Sequence, residues 1–540
     1  MSDRVWTPAQ SGAINADTGT LLVSAAAGSG KTAVLVERIV RLLTRGEAPV
    51  RPSELLVVTF TNAAAAEMRS RVYSRISDLM RVPGADRSSF SALLSHLDEM
   101  NVCTMDAFGI KLVRESFHIC GVSSDFTVLD KGESDILKKE TAADVAETVF
   151  ADFPEQALSL AKLFQYGRTD EKLLKAIVDL SDFSMAEPDP DAWLNGVTAL
   201  YTEQHPDDSE WGRIIADEVK TGLDEMRRLA EKNIKDLMKV PEIYTYKNVA
   251  DIFNSVSDIC GRAAESFNSL PWDEKIVLLN KTSERLHELP RLTFPRDCTK
   301  DPIKLACVAR RDFIKDFFDR DAPKLMCATA SEHLDDVRRL TPDARLLITA
   351  VRRFNEELLR RKKERNSYDF SDILHFALGL LYDPSARDGK TDAARALSEQ
   401  FREILIDEYQ DTNRAQDMLF SCLSKNGRNM FTVGDVKQSI YRFRLASPEI
   451  FIEKSESFPA FDGRADRSKI VLKNNFRSRR GVLDAVNYMF NAVMSKECGE
   501  IEYNDDERLS PPPGKENDPP TADFEMHTVD GDGVKDEAEY

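Results

Sequence analysis

No apolar run in this 540-residue chain approaches the ~18 residues that a membrane-spanning helix needs, so no helical span is expected. The N-terminus, Met1-Ser2-Asp3-Arg4-Val5-Trp6, also lacks the apolar core of a secretory signal, which makes the cytoplasm the expected location. Cysteine is sparse. The eight thiols are scattered at 103, 120, 260, 298, 307, 327, 422 and 498, with no Cys-x-x-Cys pair and no Cys/His group at zinc-ligand spacing. Reduced, mostly buried cysteines are expected rather than a disulfide framework or a zinc fold. No internal repeat is present. At 42% hydrophobic and 31% charged residues the composition is that of a soluble globular protein. Its length exceeds one compact core and suggests roughly three or four domains.

Net positive charge is lacking as well: the balance is −19, which argues at first against a nucleic-acid partner. The distribution softens that argument. Residues 504–540 hold twelve acids and three bases, a balance of −9, which leaves −10 for the other 503 residues. The stretch 351–365, VRRFNEELLRRKKER, has seven bases against three acids and reads equally as a DNA-facing track or a solvated helix face. A motor that tracks single strands needs only a narrow basic path with stacking platforms, so acidity elsewhere does not exclude DNA.

Four apolar, β-rich runs end in small or polar residues and lead into helical patterns: Thr20–Ser24, Leu55–Phe60, Ile404–Ile406 and Met430–Val433. Alternation of strand and helix predicts a parallel α/β sheet. Between 131 and 365 the pattern changes to long amphipathic stretches, Lys138–Phe153, Trp211–Met238 and Ala344–Arg365, without glycine loops. The expected order is therefore a first part of an α/β domain (1–130), an inserted helical subdomain (131–365) and a second part of the same domain (366–468). Lys469–Leu472 is expected to open a second α/β domain over 469–540. Beyond about 503 an acidic, proline-rich segment reads as an unstructured linker, with Ala522–Val529 as one further candidate strand.

Two stretches carry chemistry. Ser24-Ala25-Ala26-Ala27-Gly28-Ser29-Gly30-Lys31-Thr32 follows an apolar strand and opens a helix, the order of a phosphate-binding loop with Ala25 in place of its usual first glycine. Gly28 and Gly30 let the backbone turn its N–H groups toward phosphate oxygens, and the helix N-terminus adds its dipole. Lys31 is placed for the β- and γ-phosphates of ATP, and Thr32 for Mg²⁺. Ile404-Leu405-Ile406-Asp407-Glu408 is an apolar strand ending in two carboxylates. Asp407 suits the metal, and Glu408 suits orientation and deprotonation of the attacking water. Alone, such a strand end is often only a helix cap; beside a phosphate loop it is half of one site.

Asp407-Glu408-Tyr409-Gln410-Asp411-Thr412, with Gln416, resembles motif II of superfamily 1 helicases of the UvrD/Rep type. Other motifs are similar in the same order. Trp6-Thr7-Pro8-Ala9-Gln10 resembles the Q motif, and Thr59–Met68 resembles motif Ia. Cys103–Phe108 is similar to the next motif, with Asp106 where many relatives have His. Tyr368–Asp372 resembles the return to the first motor domain, Val433–Arg444 motif III and Asn475–Ser478 motif IV. Within the family, Val23–Thr32 and the return stretch look most like the AddA group, helicase–nuclease subunits that act with an AddB-type partner in break repair and recombination.

The resemblance implies a RecA-like motor fold that uses ATP and Mg²⁺ to move 3′ to 5′ on single-stranded DNA and to unwind duplex DNA. It implies that Gln10 reads the adenine edge, Phe476 stacks on the adenine, Gln438 senses the γ-phosphate and Arg477 approaches that phosphate. It places Phe60, Thr61, Asn62, Thr104, Tyr441, Phe443 and Arg444 on the DNA path. The bases Arg442 and Arg444 on either side of Phe443 favour a stacking platform over a core position. No segment after motif IV resembles motifs V and VI or a nuclease, so the resemblance implies the N-terminal part of a larger protein.

Two other readings stay open: another repair helicase of the same family, or a piece that binds nucleotide and DNA with little turnover. An ABC-type ATPase is disfavoured, because no Leu-Ser-Gly-Gly-Gln signature lies between 366 and 403.

Overall fold

The computed structural model describes residues 5–17, 19–45, 49–164, 171–202, 204–295, 298 and 301–515. The candidate strand Ala522–Val529 lies outside the described residues. The chain forms two compact units. One comprises Met1–Ala142, Val178–Pro190 and Phe354–Tyr540; the other comprises Ala143–Ile177 and Asp191–Arg353.

The first unit is built on a parallel sheet. Its strands are β1 (Thr20–Ala25), β2 (Leu55–Thr59), β3 (Asn101–Thr104), β6 (Glu403–Ile406), β7 (Met430–Gly434) and β8 (Arg467–Leu472), in the order β3-β2-β6-β7-β1-β8. A separate two-stranded ladder joins β4 (Thr127–Val128) to β5 (Ser367–Tyr368). The strands β1, β2, β6 and β7 are buried at every residue, as expected of a parallel sheet covered on both faces. Their alternate residues enter different cores. Leu22, Leu56, Val58, Ile404 and Ile406 pack in one, while Leu21, Val23, Leu55, Val57, Leu405 and Val433 pack in the other.

Lys469–Leu472 does not open a second sheet. As part of β8 it pairs with β1 over six residues, from Thr20↔Arg467 to Ala25↔Leu472. The intermediate connection that suggested a boundary is crossed by this pairing. Nor is the segment after 503 without structure. Ser510 N–H donates to Lys473 O at 3.0 Å, and Asn475 N–H to Ser510 O at 2.8 Å, so it folds back beside motif IV.

The second unit is helical. In the helix Glu210–Leu237 the apolar face Val219, Leu223, Met226 and Ala230 packs with Val256, Cys260 and Ala263 of the helix Val249–Ser266 and with Trp272. Trp272 donates its indole N–H to Ala328 O at 3.0 Å. The helices Lys131–Asp152 and Ala330–Glu364 contain the boundaries between units, at 142/143 and 353/354. No helix among the described residues is long and apolar enough to cross a membrane.

The basic stretch 351–365 is largely neutralised. Arg353 meets Asp152 at 2.6 Å, and Arg360 and Arg361 each meet Glu357 at 2.7 Å. Lys362, only 2% exposed, lies 2.7 Å from both Asp369 and Asp372. The return motif thus has a structural explanation. Asp369 and Asp372 form a reciprocal capping box for the helix Phe370–Leu381, and Lys362 compensates their charge.

Candidate nucleotide and DNA clefts

The strand register brings the motifs to one edge. Val23 lies opposite Val433, and Thr432 opposite Ile406, so the phosphate loop, motif III and the Asp407-Glu408 pair all leave the carboxyl ends of neighbouring strands. That edge is where open α/β sheets bind ligands.

The helix Lys31–Thr44 has Gly30 as its N-cap, in the left-handed region at φ 86° and without a side-chain cap. Its first-turn N–H groups are therefore open to an anion. Gly28 sits at φ 70°, and a Cβ there would lie 2.7 Å from the Asn475 amide nitrogen. Glycine is required at that position by both conformation and space. Asn475 holds the loop from outside: its Nδ2 donates to Ala27 O at 2.7 Å, while Phe476 N–H donates to Gly28 O at 2.9 Å.

A cleft of about 410 Å³ is lined by Gly28, Lys31, Thr32, Glu408, Gln438 and Arg477, with Phe476 and Arg71 at its margin. Lys31 Nζ lies 2.9 Å from Glu408 Oε2. Glu408 adopts φ 51°, ψ 45°, a left-handed conformation uncommon outside glycine. Gln410 Nε2 donates to the same Glu408 oxygen at 2.9 Å. Asp407 is pushed up to about 6, first by burial and then by the charge of Glu408. Asp411 is pushed up to about 6 by the same two causes in the same order. A crowded carboxylate group with the Thr32 hydroxyl nearby is a hard-oxygen donor set, and a divalent cation would offset the repulsion that raises Asp407.

A second cleft, of about 320 Å³, has Phe60, Thr104, Asp106, Phe370, Tyr441 and Arg444 among its walls, and Asp407 and Glu408 line it too. The rings of Phe60 and Tyr441 have centroids 4.7 Å apart, and Tyr441 and Phe443 5.7 Å apart. The Arg444 guanidinium lies 5.3 Å from the Tyr441 centroid and 5.8 Å from that of Phe443. Phe443 is 76% exposed, which rules out a core role for its ring.

Several residues singled out from sequence have other partners here. Gln10 is buried, with Oε1 accepting from Thr7 N–H at 3.0 Å and Nε2 donating to Ser29 O at 2.9 Å. Both ends of its amide are used inside the protein, bracing the loop. Ser24, Ala25 and Ala26 are buried backbone support, while Ala27 reaches the cleft wall. The Thr61 and Thr104 hydroxyls cap helices, accepting from Ala64 N–H and Ala107 N–H, whereas Asn62 is exposed at the first turn. Arg442 is separated from Arg444: it pairs with Glu449 at 2.8 Å and with Glu500.

Arg71 and Asn475 were not singled out from sequence. Arg71 lies in the helix Asn62–Met80, two turns beyond the motif Ia strand end, and pairs with Glu67. Its helical spacing from Thr61 was the available signal. Nothing local marks Asn475 as a clamp on a loop some 450 residues earlier.

The family described as UvrD/REP helicase N-terminal domain matches residues 6–459. Curated relatives named as ATP-dependent helicase/nuclease subunits of the AddA type include one from Ruminiclostridium cellulolyticum, 34% identical over 534 residues (95% of this chain, 41% of that protein). Another, from Clostridium beijerinckii, is 35% identical over 521 residues (94% and 41%), and one from Pediococcus pentosaceus is 37% identical over 520 residues (94% and 40%). This chain spans about two fifths of the length of these relatives. With a family match that extends from the residue before the capping Thr7 to beyond motif III, the chain belongs to the UvrD/REP helicase family.

Proposed function

We propose that this chain carries the ATP-driven motor of a DNA helicase that works as the AddA-type component of a helicase–nuclease in break repair and recombination. The observation that carries the reading is that Glu408 lines both clefts, one holding Lys31, Thr32, Gln438 and Arg477 and the other the Phe60–Tyr441–Phe443 rings. A change at the phosphate site is thereby felt at a surface suited to stacked bases.

In this reading Lys31 and the first-turn N–H groups hold the ATP phosphates, and Glu408 takes a proton from the attacking water. Thr32 and Asp407 would hold Mg²⁺, which neutralises phosphate charge when bound. Gln438 senses the γ-phosphate, and Arg477 stabilises charge on it as the cleft closes. Phe60, Tyr441, Phe443 and Arg444 take single-stranded DNA, with movement 3′ to 5′ and an AddB-type partner protein. The adenine reading assigned to Gln10 requires its bond to Ser29 to be exchanged; stacking by Phe476, 41% exposed, requires no such change.

The Lys31–Glu408 pair favours a second reading for the chain without DNA or nucleotide: both catalytic groups occupy each other, so basal turnover is low. ATP hydrolysis measured with and without single-stranded oligonucleotide tests the function. Hydrolysis that rises with DNA is expected, and hydrolysis indifferent to DNA at its full natural length overturns the reading.

A further inference from the structure

The acidic segment beyond helix Arg480–Val493 is pinned at several points. Tyr503 Oη donates to Asn487 Oδ1 at 2.8 Å, and Leu509 N–H to the same oxygen at 3.0 Å. Asn474 Nδ2 donates to Pro511 O at 2.9 Å, and Lys473 pairs with Asp506 at 3.0 Å. These contacts deliver the Glu507 carboxylate to the Lys437 ammonium in motif III.

Lys437 is shielded from water, and its ammonium also lies 2.9 Å from Asp435 Oδ1. Burial works against its charge, yet the carboxylates of Asp435 and Glu507 together raise its pKa above the ordinary lysine value. The other Asp435 oxygen, Oδ2, accepts from Gln438 Nε2 at 2.6 Å. Asp435 N–H donates to Gln410 Oε1 at 3.0 Å, and Gln410 Nε2 reaches Glu408. One nearly fully buried carboxylate therefore serves two competing donors, the Lys437 ammonium and the Gln438 amide. With a second acid on Lys437, the ammonium is shared and Asp435 keeps an oxygen for Gln438. Without it, a buried ammonium has a single counter-charge, and Asp435 is drawn toward the lysine.

We propose that Glu507 is a positioning residue for Gln438, acting through Lys437 and Asp435 to hold the Gln438 amide at the γ-phosphate end of the nucleotide cleft. The inference rests on the reading of that cleft as an ATP site with Gln438 as its phosphate sensor. It gives the segment after motif IV a role in distinguishing ATP from ADP, although none of its residues lines the cleft.

The experiment compares wild type with Glu507→Gln, which is isosteric, at full natural length. The dissociation constants of ADP and ATPγS, the kcat and KM of DNA-stimulated ATP hydrolysis, and the melting temperature are measured. Asp506→Asn serves as control, since it loosens the same segment without touching Lys437. Glu507→Gln is expected to leave ADP binding unchanged while the preference for ATPγS and kcat each fall about tenfold. In a Gln438→Ala background the same change is expected to add nothing. Unchanged preference and kcat in Glu507→Gln, beside a wild type that discriminates, overturn the inference alone. So does an Asp506→Asn effect of equal size, or a lowered melting temperature with ADP and ATPγS weakened alike. A wild type that neither distinguishes the two nucleotides nor responds to DNA overturns the reading of the cleft, and this inference with it.

Discussion

Lys31 Nζ and Glu408 Oε2 stand 2.9 Å apart, joining the phosphate loop to the carboxylate strand end across 377 positions of sequence. ATP must break this pair to take the lysine, and in doing so it frees the carboxylate to act on water. Substrate binding and activation of the base are thus one exchange of partners.

Lys31→Ala removes the only side-chain ammonium lining the nucleotide cleft among the described residues. Hydrolysis is expected to fall by about 10²–10³-fold, the usual cost of deleting a charge-stabilising donor. Steady-state phosphate release measures it, and activity within a factor of two of wild type contradicts the assignment.

In Glu408→Gln the amide oxygen still accepts from Gln410, so the local structure is expected to persist. Loss of the base should cut turnover by about 10²–10⁴-fold while nucleotide affinity is kept. Equilibrium binding beside single-turnover hydrolysis separates these quantities; equal loss of both would make Glu408 a structural or metal residue.

Phe443→Ala should weaken single-stranded DNA binding by about 1–3 kcal/mol with little base preference. Because the ring is 76% exposed, the melting temperature should not move. The loss should persist at high salt, whereas that of Arg444→Ala should shrink as salt rises. Oligonucleotide titrations at two ionic strengths, with thermal melts, check all three statements.

Stability should carry a pH signature from the buried Lys362 cluster. Asp372 is pushed up to about 7, by burial first and then by Asp369. An unfolded aspartate titrates near pH ~3.9, so between these values the folded chain holds a proton that the unfolded chain has lost. This group's contribution to stability therefore falls as pH rises from about 4 to about 7, by at most about 1.4 kcal/mol per pH unit. Asp372→Asn keeps an oxygen for the Asp369 N–H and for Lys362 but cannot ionise. Its melting temperature is expected to depend less on pH over that range, and identical pH dependence in the two proteins excludes the effect.

The sequence alone determined the elements whose signals are local. Buried parallel strands show as continuous apolar runs, a phosphate loop shows as glycines between strand and helix, and Asp407-Glu408 shows as carboxylates at a strand end. The inserted helices at Glu210–Leu237 and Ala330–Glu364 were legible for the same reason, since helical periodicity is written within each segment. Tertiary structure alone decided which sheet β8 joins, because a strand's alternation is the same in either sheet and only its pairing with β1 chooses. It also decided that Gln10 and Asn475 brace the loop, that Arg442 faces acids while Arg444 faces rings, and that Glu507 reaches Lys437. Each of those side chains has several chemically adequate partners along the chain. Which one it meets is set by the packing of strands and helices far apart in sequence, and no local pattern records that distance.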